Sequence, residues 1–155
     1  MIRPDSRLDS GTTASLIVAA LQYRALPTDK AENLRCLLEL VSEAAQNGAG
    51  IIVLPELCTT GMNFRNRAEA ASQAETIPGP ASDAFAGLAR RHQTYIVLGL
   101  AETEPATGKM YNSQVLLGPD GLIVGRYRKI HTFGPDLNWA EPGDLGYQAV
   151  MVTGR

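Results

Sequence analysis

Leu34, Leu37, Leu38, Val41 and Ala45 recur at i, i+3, i+4, i+7 and i+11 between Asp29 and Asn47, and apolar runs stand on either side, Leu16–Gln22 and Ile51–Leu54. The stripe has the helical period, so 29–47 reads as an amphipathic helix with one buried face. Asp29 and Glu32 have the spacing of a capping box, and Gly48 suits the left-handed position that ends a helix. Both flanking runs lack a polar face, as strands buried on two sides do, although period alone leaves Leu16–Gln22 open to a helical reading. Strand, helix and strand in that order give a crossover long enough to set the two strands parallel.

Further along, Pro78-Gly79-Pro80 interrupts the chain, and Ser82 is expected to cap a short helix carrying Phe85, Leu88 and Ala89. Tyr95–Leu100 reads as a third apolar strand. Tyr111–Leu117 and Leu122–Tyr127 flank Gly118-Pro119-Asp120-Gly121, a strong signal for an antiparallel hairpin. Beyond Lys129 comes a loop rich in Gly, Pro and Asp, followed by an expected strand at Ala149–Val152. The pattern predicts an α/β fold with a mixed sheet. Residues 14–155 are expected to form one domain, and the polar stretch 1–13 a disordered leader without the apolar core of a signal peptide.

Net charge is −2 with no run of either sign, which argues against nucleic acid or an anionic membrane as the main partner. Two cysteines, Cys36 on the predicted helix and Cys58 on a loop, make no disulfide framework, so reduced thiols in a cytoplasmic setting are expected. No metal cluster, phosphate loop or dinucleotide fingerprint is present, and no cofactor is expected.

Glu56 closes the Ile51–Leu54 strand behind Pro55, at the carboxyl end where open α/β sheets bind ligands. Lys129 follows the second strand of the hairpin, and two-residue alternation sets Tyr127 and Lys129 on one face, opposite Arg126 and Arg128. Taken singly, Glu56 is a solvated carboxylate at a strand terminus and Lys129 part of an exposed basic strand end.

The combination says more. Leu54-Pro55-Glu56-Leu57 with Thr60-Gly61, then Tyr111-Asn112-Ser113, Gly118-Pro119-Asp120-Gly121, Tyr127-Arg128-Lys129-Ile130-His131 and Pro142-Gly143-Asp144 follow one another in an order that resembles the carbon–nitrogen hydrolase (nitrilase) superfamily. The resemblance runs from about Leu16 to Arg155. It implies a four-layer α-β-β-α sandwich and a Glu–Lys–Cys triad, with Glu56 as general base and Lys129 as the cation beside the developing oxyanion. In that chemistry a thiolate attacks an amide or nitrile carbon, a thioester forms, and water completes hydrolysis. A second acid after the lysine is also implied, with Asp136 the nearest match and Glu141 the fallback.

The implied cysteine lies beyond a further strand, and the chain is expected to stop short of it. Cys36 reads as a packing thiol on its helix. Cys58, two residues from Glu56, has no default alignment with that carboxylate and is kept as a pocket residue only. His131 and Trp139 are further pocket candidates, His131 otherwise a loop histidine bonded to backbone and Trp139 otherwise a cover for the loop; His92 reads as structural.

The leading expectation is the amino-terminal part of a hydrolase for a small amide, nitrile or N-carbamoyl compound, inactive alone, with a homo-oligomeric full-length form. Two alternatives stand beside it: a non-catalytic binding or assembly module on the same fold, and acyl transfer to an amine. Half a sandwich would leave an apolar sheet face uncovered, so the isolated chain is expected to be poorly soluble or oligomeric.

Overall fold

The computed structural model of the chain describes residues 15–27 and 29–152. The expected leader, 1–13, lies outside them. Five strands, β1 (Val18–Ala20), β2 (Ile51–Val53), β3 (Tyr95–Glu104), β4 (Lys109–Leu117) and β5 (Ile123–Arg128), form one sheet in the order β1-β2-β3-β4-β5. The first three are mutually parallel, and β4 and β5 run antiparallel to their neighbours. The strand–helix–strand unit and the hairpin therefore stand as the sequence predicts.

Helix α1 (Lys30–Gln46) is the crossover. Asp29 accepts from the Glu32 amide at 3.1 Å, which satisfies one of the orphan donors of the first turn. Gly48 follows the last turn at φ +88°, where a β-carbon would be strained. The stripe lands as expected, with Leu37 and Val41 fully buried against the sheet. Helix α3 (Pro80–His92) packs beside α1 with Phe85 and Ala89 inward. Its cap is Gly79 rather than Ser82: Pro80 occupies the first helical position, and the Ser82 hydroxyl, three residues after the cap, accepts from the Gly79 amide at 2.9 Å. Together α1 and α3 cover Ile52, Ile96, Leu98, Leu100, Val115 and Leu117 on one face of the sheet.

The opposite face is covered at the carboxyl end of the parallel strands. There α2 (Arg67–Gln73) and the loops around it pack Leu57, Phe64, Ala70, Ala101, Met110 and Trp139 into a second cluster. Elsewhere on this face Val18 is 56% exposed, and Val97 and Leu116 are only half-buried. The expected strand at Ala149–Val152 does not form. The β5 amide of Arg126 is taken by the Gln148 side chain at 3.3 Å, so no backbone ladder grows there. Among the described residues no helix is long and apolar enough to cross a membrane.

Candidate active site

Glu56 lies three residues beyond the end of β2, yet its carboxylate must cross β3 to reach β4. The geometry of the crossing is visible in the ladder. The Leu54 amide donates to Val97 and the Cys58 amide to Gly99, so residues 55–57 arch over β3 between those two bonds. Leu57 takes φ +47° to close the arch, an uncommon conformation for a non-glycine residue. Beneath it lies Gly99, where a β-carbon would sit 2.6 Å from the Pro55 carbonyl oxygen and 3.0 Å from the Glu56 α-carbon. Only a bare backbone at that point lets the arch lie flat on the strand.

On the far side Glu56 meets residues of β4 and of the segment that follows β5. Lys129 continues the ladder by donating its amide to the Asn112 carbonyl at 2.8 Å, which sets the two side chains on the same face. The Lys129 ammonium donates to Glu56 Oε1 at 2.8 Å and to Asp136 Oδ2 at 2.6 Å. Asn112 Nδ2 donates to the same Glu56 Oε1 at 2.6 Å and to Asp136 Oδ1 at 3.2 Å. Four side chains thus close a ring in which two carboxylates share two donors. Asp136 is buried within a 3₁₀ turn, Gly134–Asn138, whose closing amides at Trp139 and Ala140 both donate to its carbonyl.

Burial works against the charge on Lys129, but its hydrogen bonds to Asp136 and Glu56 outweigh that and hold the ammonium above the ordinary lysine value. The group is therefore a fixed cation throughout the neutral range. A cavity of about 210 Å³ opens beside it, lined by Glu56, Asn112, Gln114, Tyr127 and Lys129. A larger one, about 550 Å³, adjoins it and shares Gln114 and Tyr127. Behind the carboxylate, a third cavity of about 370 Å³ is lined by Glu56 together with Tyr23, Arg24, Cys58 and Met62.

Of the residues singled out from sequence, Glu56, Lys129 and Asp136 converge. Glu141 does not: its carboxylate faces Arg67 at 3.5 Å, and its amide is tied to the Met110 carbonyl. Cys58 reaches the third cavity only as part of its wall, being 1% exposed, and its thiol donates to the Gly99 carbonyl at 3.3 Å. Burial pushes that thiol up to about 12, so it carries no useful thiolate at neutral pH. His131 is exposed, outside the lining of the Glu56–Lys129 cavity. Trp139 is 2% exposed and stands edge-on to Phe64 at 5.1 Å, a packing role in the second cluster. Sequence reasoning quoted Asn112 within a motif without giving it a task, and passed over Gly99. A glycine inside an apolar strand was the available signal for a close backbone approach.

Known proteins resemble this chain in sequence and in fold. The carbon–nitrogen hydrolase family model matches residues 17–152. A nitrilase from Pyrococcus abyssi is 44% identical over 111 residues, which is 71% of this chain and 41% of that protein. An omega-amidase from Homo sapiens is 32% identical over 137 residues, 88% of this chain and 46% of its own length. The chain thus spans less than half the length of these curated relatives. Among solved structures, a carbon–nitrogen hydrolase from Helicobacter pylori G27 superposes with a TM-score of 0.76 at 25% identity, covering 87% of this chain and 47% of that one. An N-terminal amidase bound to an Asn-Glu-Ala peptide shares the fold with a TM-score of 0.76 at 22% identity, over 83% of this chain and 32% of that chain. The nitrilase-like α/β fold is thereby established.

Proposed function

The chain belongs to the carbon–nitrogen hydrolase family, and from that premise we propose that it supplies the base and the cation of a site that hydrolyses a small amide, nitrile or N-carbamoyl compound. The observation that carries the reading is the Lys129 ammonium held between Glu56 and Asp136 at the mouth of a cavity. A carboxylate at hydrogen-bond distance from a permanent cation cannot be a proton donor to it and is free to take a proton from a third group. In the proposed reaction that group is a thiol. Glu56 accepts the S–H proton as sulfur bonds to the substrate carbon. The carbonyl or nitrile π-electrons move onto oxygen or nitrogen, and Lys129 stands beside the charge that develops, a form of stabilisation worth about 3–4 kcal/mol. Collapse of the adduct from an amide expels the amine, which takes the proton from Glu56, and a thioester remains; the thioimidate formed from a nitrile takes that proton on nitrogen, then adds water and expels ammonia to give the same thioester. Glu56 then deprotonates water for its hydrolysis.

The thiol itself comes from neither cysteine of this chain. Cys58 is sealed against Gly99, and Cys36 sits on α1 with its sulfur 3.4 Å from Glu32. The proposal therefore includes inactivity of the 155-residue chain on its own. The relatives named nitrilase and omega-amidase support a nitrile or an aliphatic amide as the substrate class.

The test is ammonia release from a panel of amides, nitriles and N-carbamoyl compounds by the native gene product, by its Glu56→Gln and Lys129→Met variants, and by the 155-residue chain. The native product is expected to hydrolyse at least one class, and both variants and the short chain to be silent. Full activity in either variant, or turnover by the short chain, would overturn the reading.

A further inference from the structure

Among the described residues, both donors that reach the Glu56 carboxylate, Lys129 Nζ at 2.8 Å and Asn112 Nδ2 at 2.6 Å, bond the same oxygen, Oε1. We propose that Asn112 is a positioning residue for the proposed hydrolysis: its carboxamide, by spanning Glu56 Oε1 and Asp136 Oδ1, fixes the rotation of the Glu56 carboxylate and leaves Oε2 as the proton-accepting atom. The inference rests on the reading of Glu56 as the general base.

A glutamate held only by an ammonium keeps its freedom of rotation. Lys129 has three donors on a flexible stem and attracts either oxygen equally, so the ion pair alone does not decide which oxygen faces the cavity. The Asn112 amide is different. It is planar and short, it sits on a strand, and it is buried at 4% exposure. Its backbone carbonyl is occupied by the Lys129 amide at 2.8 Å, which fixes the strand position from which the carboxamide projects. Only its nitrogen can face two carboxylates, so the orientation of the amide is set by its partners. Each donated proton goes to a different acid.

The same placement has an electrostatic consequence. Glu56 and Asp136 both lie against one ammonium, leaving one negative charge in excess within the ring. The two N–H bonds of the Asn112 amide reach both acids without adding a further cation. A base with one oxygen anchored twice is pre-oriented, and misplacing such a group by an ångström can cost about 10²-fold in rate. Asn112 touches no reacting atom in this scheme and acts only through Glu56.

The test uses the native gene product and the substrate class that the ammonia assay returns. Asn112→Leu removes both donors at similar volume, and Asn112→Asp keeps the shape while placing a third carboxylate in the ring. Asn112→Leu is expected to lower kcat about 10²-fold with KM within about threefold. Asn112→Asp is expected to move the acidic limb of the kcat/KM profile to higher pH, because a like charge disfavours ionisation of the base. A packing role would predict loss of folded protein with an unmoved acidic limb. If Asn112→Leu does not fold, the limb of Asn112→Asp decides alone. Folded variants with parental kcat and an unmoved limb, while Glu56→Gln is dead, would overturn the role of Asn112 and leave the site reading standing. A product in which Glu56→Gln is as active as the parent, or which hydrolyses nothing, would overturn both.

Discussion

Glu102 is fully buried at the end of β3, and replacing it with glutamine should cost the fold about 3 kcal/mol. Its carboxylate receives the Ser113 hydroxyl at 2.6 Å and the Arg128 Nε at 3.0 Å, with further bonds from the Nη2 atoms of Arg128 and Arg126. Arg128, 3% exposed, goes on to Glu104 at 2.9 Å and Asp144 at 2.8 Å and lies over the Tyr111 ring. The cluster therefore ties β3, β4, β5 and the loop after Lys129 together one residue from the site. Breaking a buried ion pair on one side costs about 3–5 kcal/mol, since the surviving charge loses its compensation. Arg128 retains two other carboxylates and Arg126 can turn to water, which places Glu102→Gln at the low end of that range. Against a total stability of about 5–15 kcal/mol this is a large fraction. Urea unfolding followed through the single tryptophan, Trp139, provides the assay, and a cycle with Arg128→Met isolates the pair. The pH dependence is a second constraint. Burial raises the Glu102 value, but bonds from Arg128, Ser113 and Arg126 overcome it, so the folded carboxyl lies below its ordinary value. Its contribution is thus complete above the unfolded value of about 4.3 and disappears as pH falls through the lower folded one. A cost under about 1 kcal/mol at pH 7, or a gap between parent and variant that widens on acidification, would refute the reasoning.

Three other substitutions or probes follow from the same contacts. Gly99→Ala forces a β-carbon against the arch that carries Glu56, so it should destabilise by about 1–3 kcal/mol and lower kcat of the native gene product about 10²-fold; parental kcat and melting would show that the arch yields freely. Iodoacetamide at pH 8 should alkylate Cys36 well before Cys58, because Cys58 is sealed and pushed up to about 12; equal rates in the folded chain, read by peptide mass, would contradict the burial. Asp136→Asn removes the first of the two bonds that raise Lys129, so the lysine value should fall; competitive acylation across pH measures it, and an unmoved value would separate Asp136 from the ammonium.

Period and punctuation made the sheet legible. The stripe on α1, the alternation of the hairpin and the turn at Gly118–Gly121 each report a local rule, and the structure keeps them with small shifts of boundary. Helix α2 was overlooked because only Ala70 is buried on it and alanines draw no stripe, although Asn66 accepting from the Glu69 amide was present as a capping signal. The site was legible in kind and not in assembly. Glu56 and Lys129 are named as base and cation only through the family resemblance, and whether they meet depends on the arch over Gly99 and on the register that sets Lys129 opposite Asn112, both products of pairing between distant strands. The same register explains the arginines. Arg126 and Arg128 read as an exposed basic strand end, yet antiparallel pairing sets them opposite Val115 and Ser113, on the face where Glu102 is buried. Alternation along β5 consequently assigns opposite tasks to neighbouring charges: Arg128 turns inward to lock the strand, and Lys129 turns outward to meet the acids. A one-residue slip of β5 would exchange them, placing a guanidinium in the cavity and an ammonium against Glu102. The charge cluster beneath the sheet is therefore also what fixes the cation above it, so loosening Glu102 should disturb the orientation of Lys129 before it unfolds the chain.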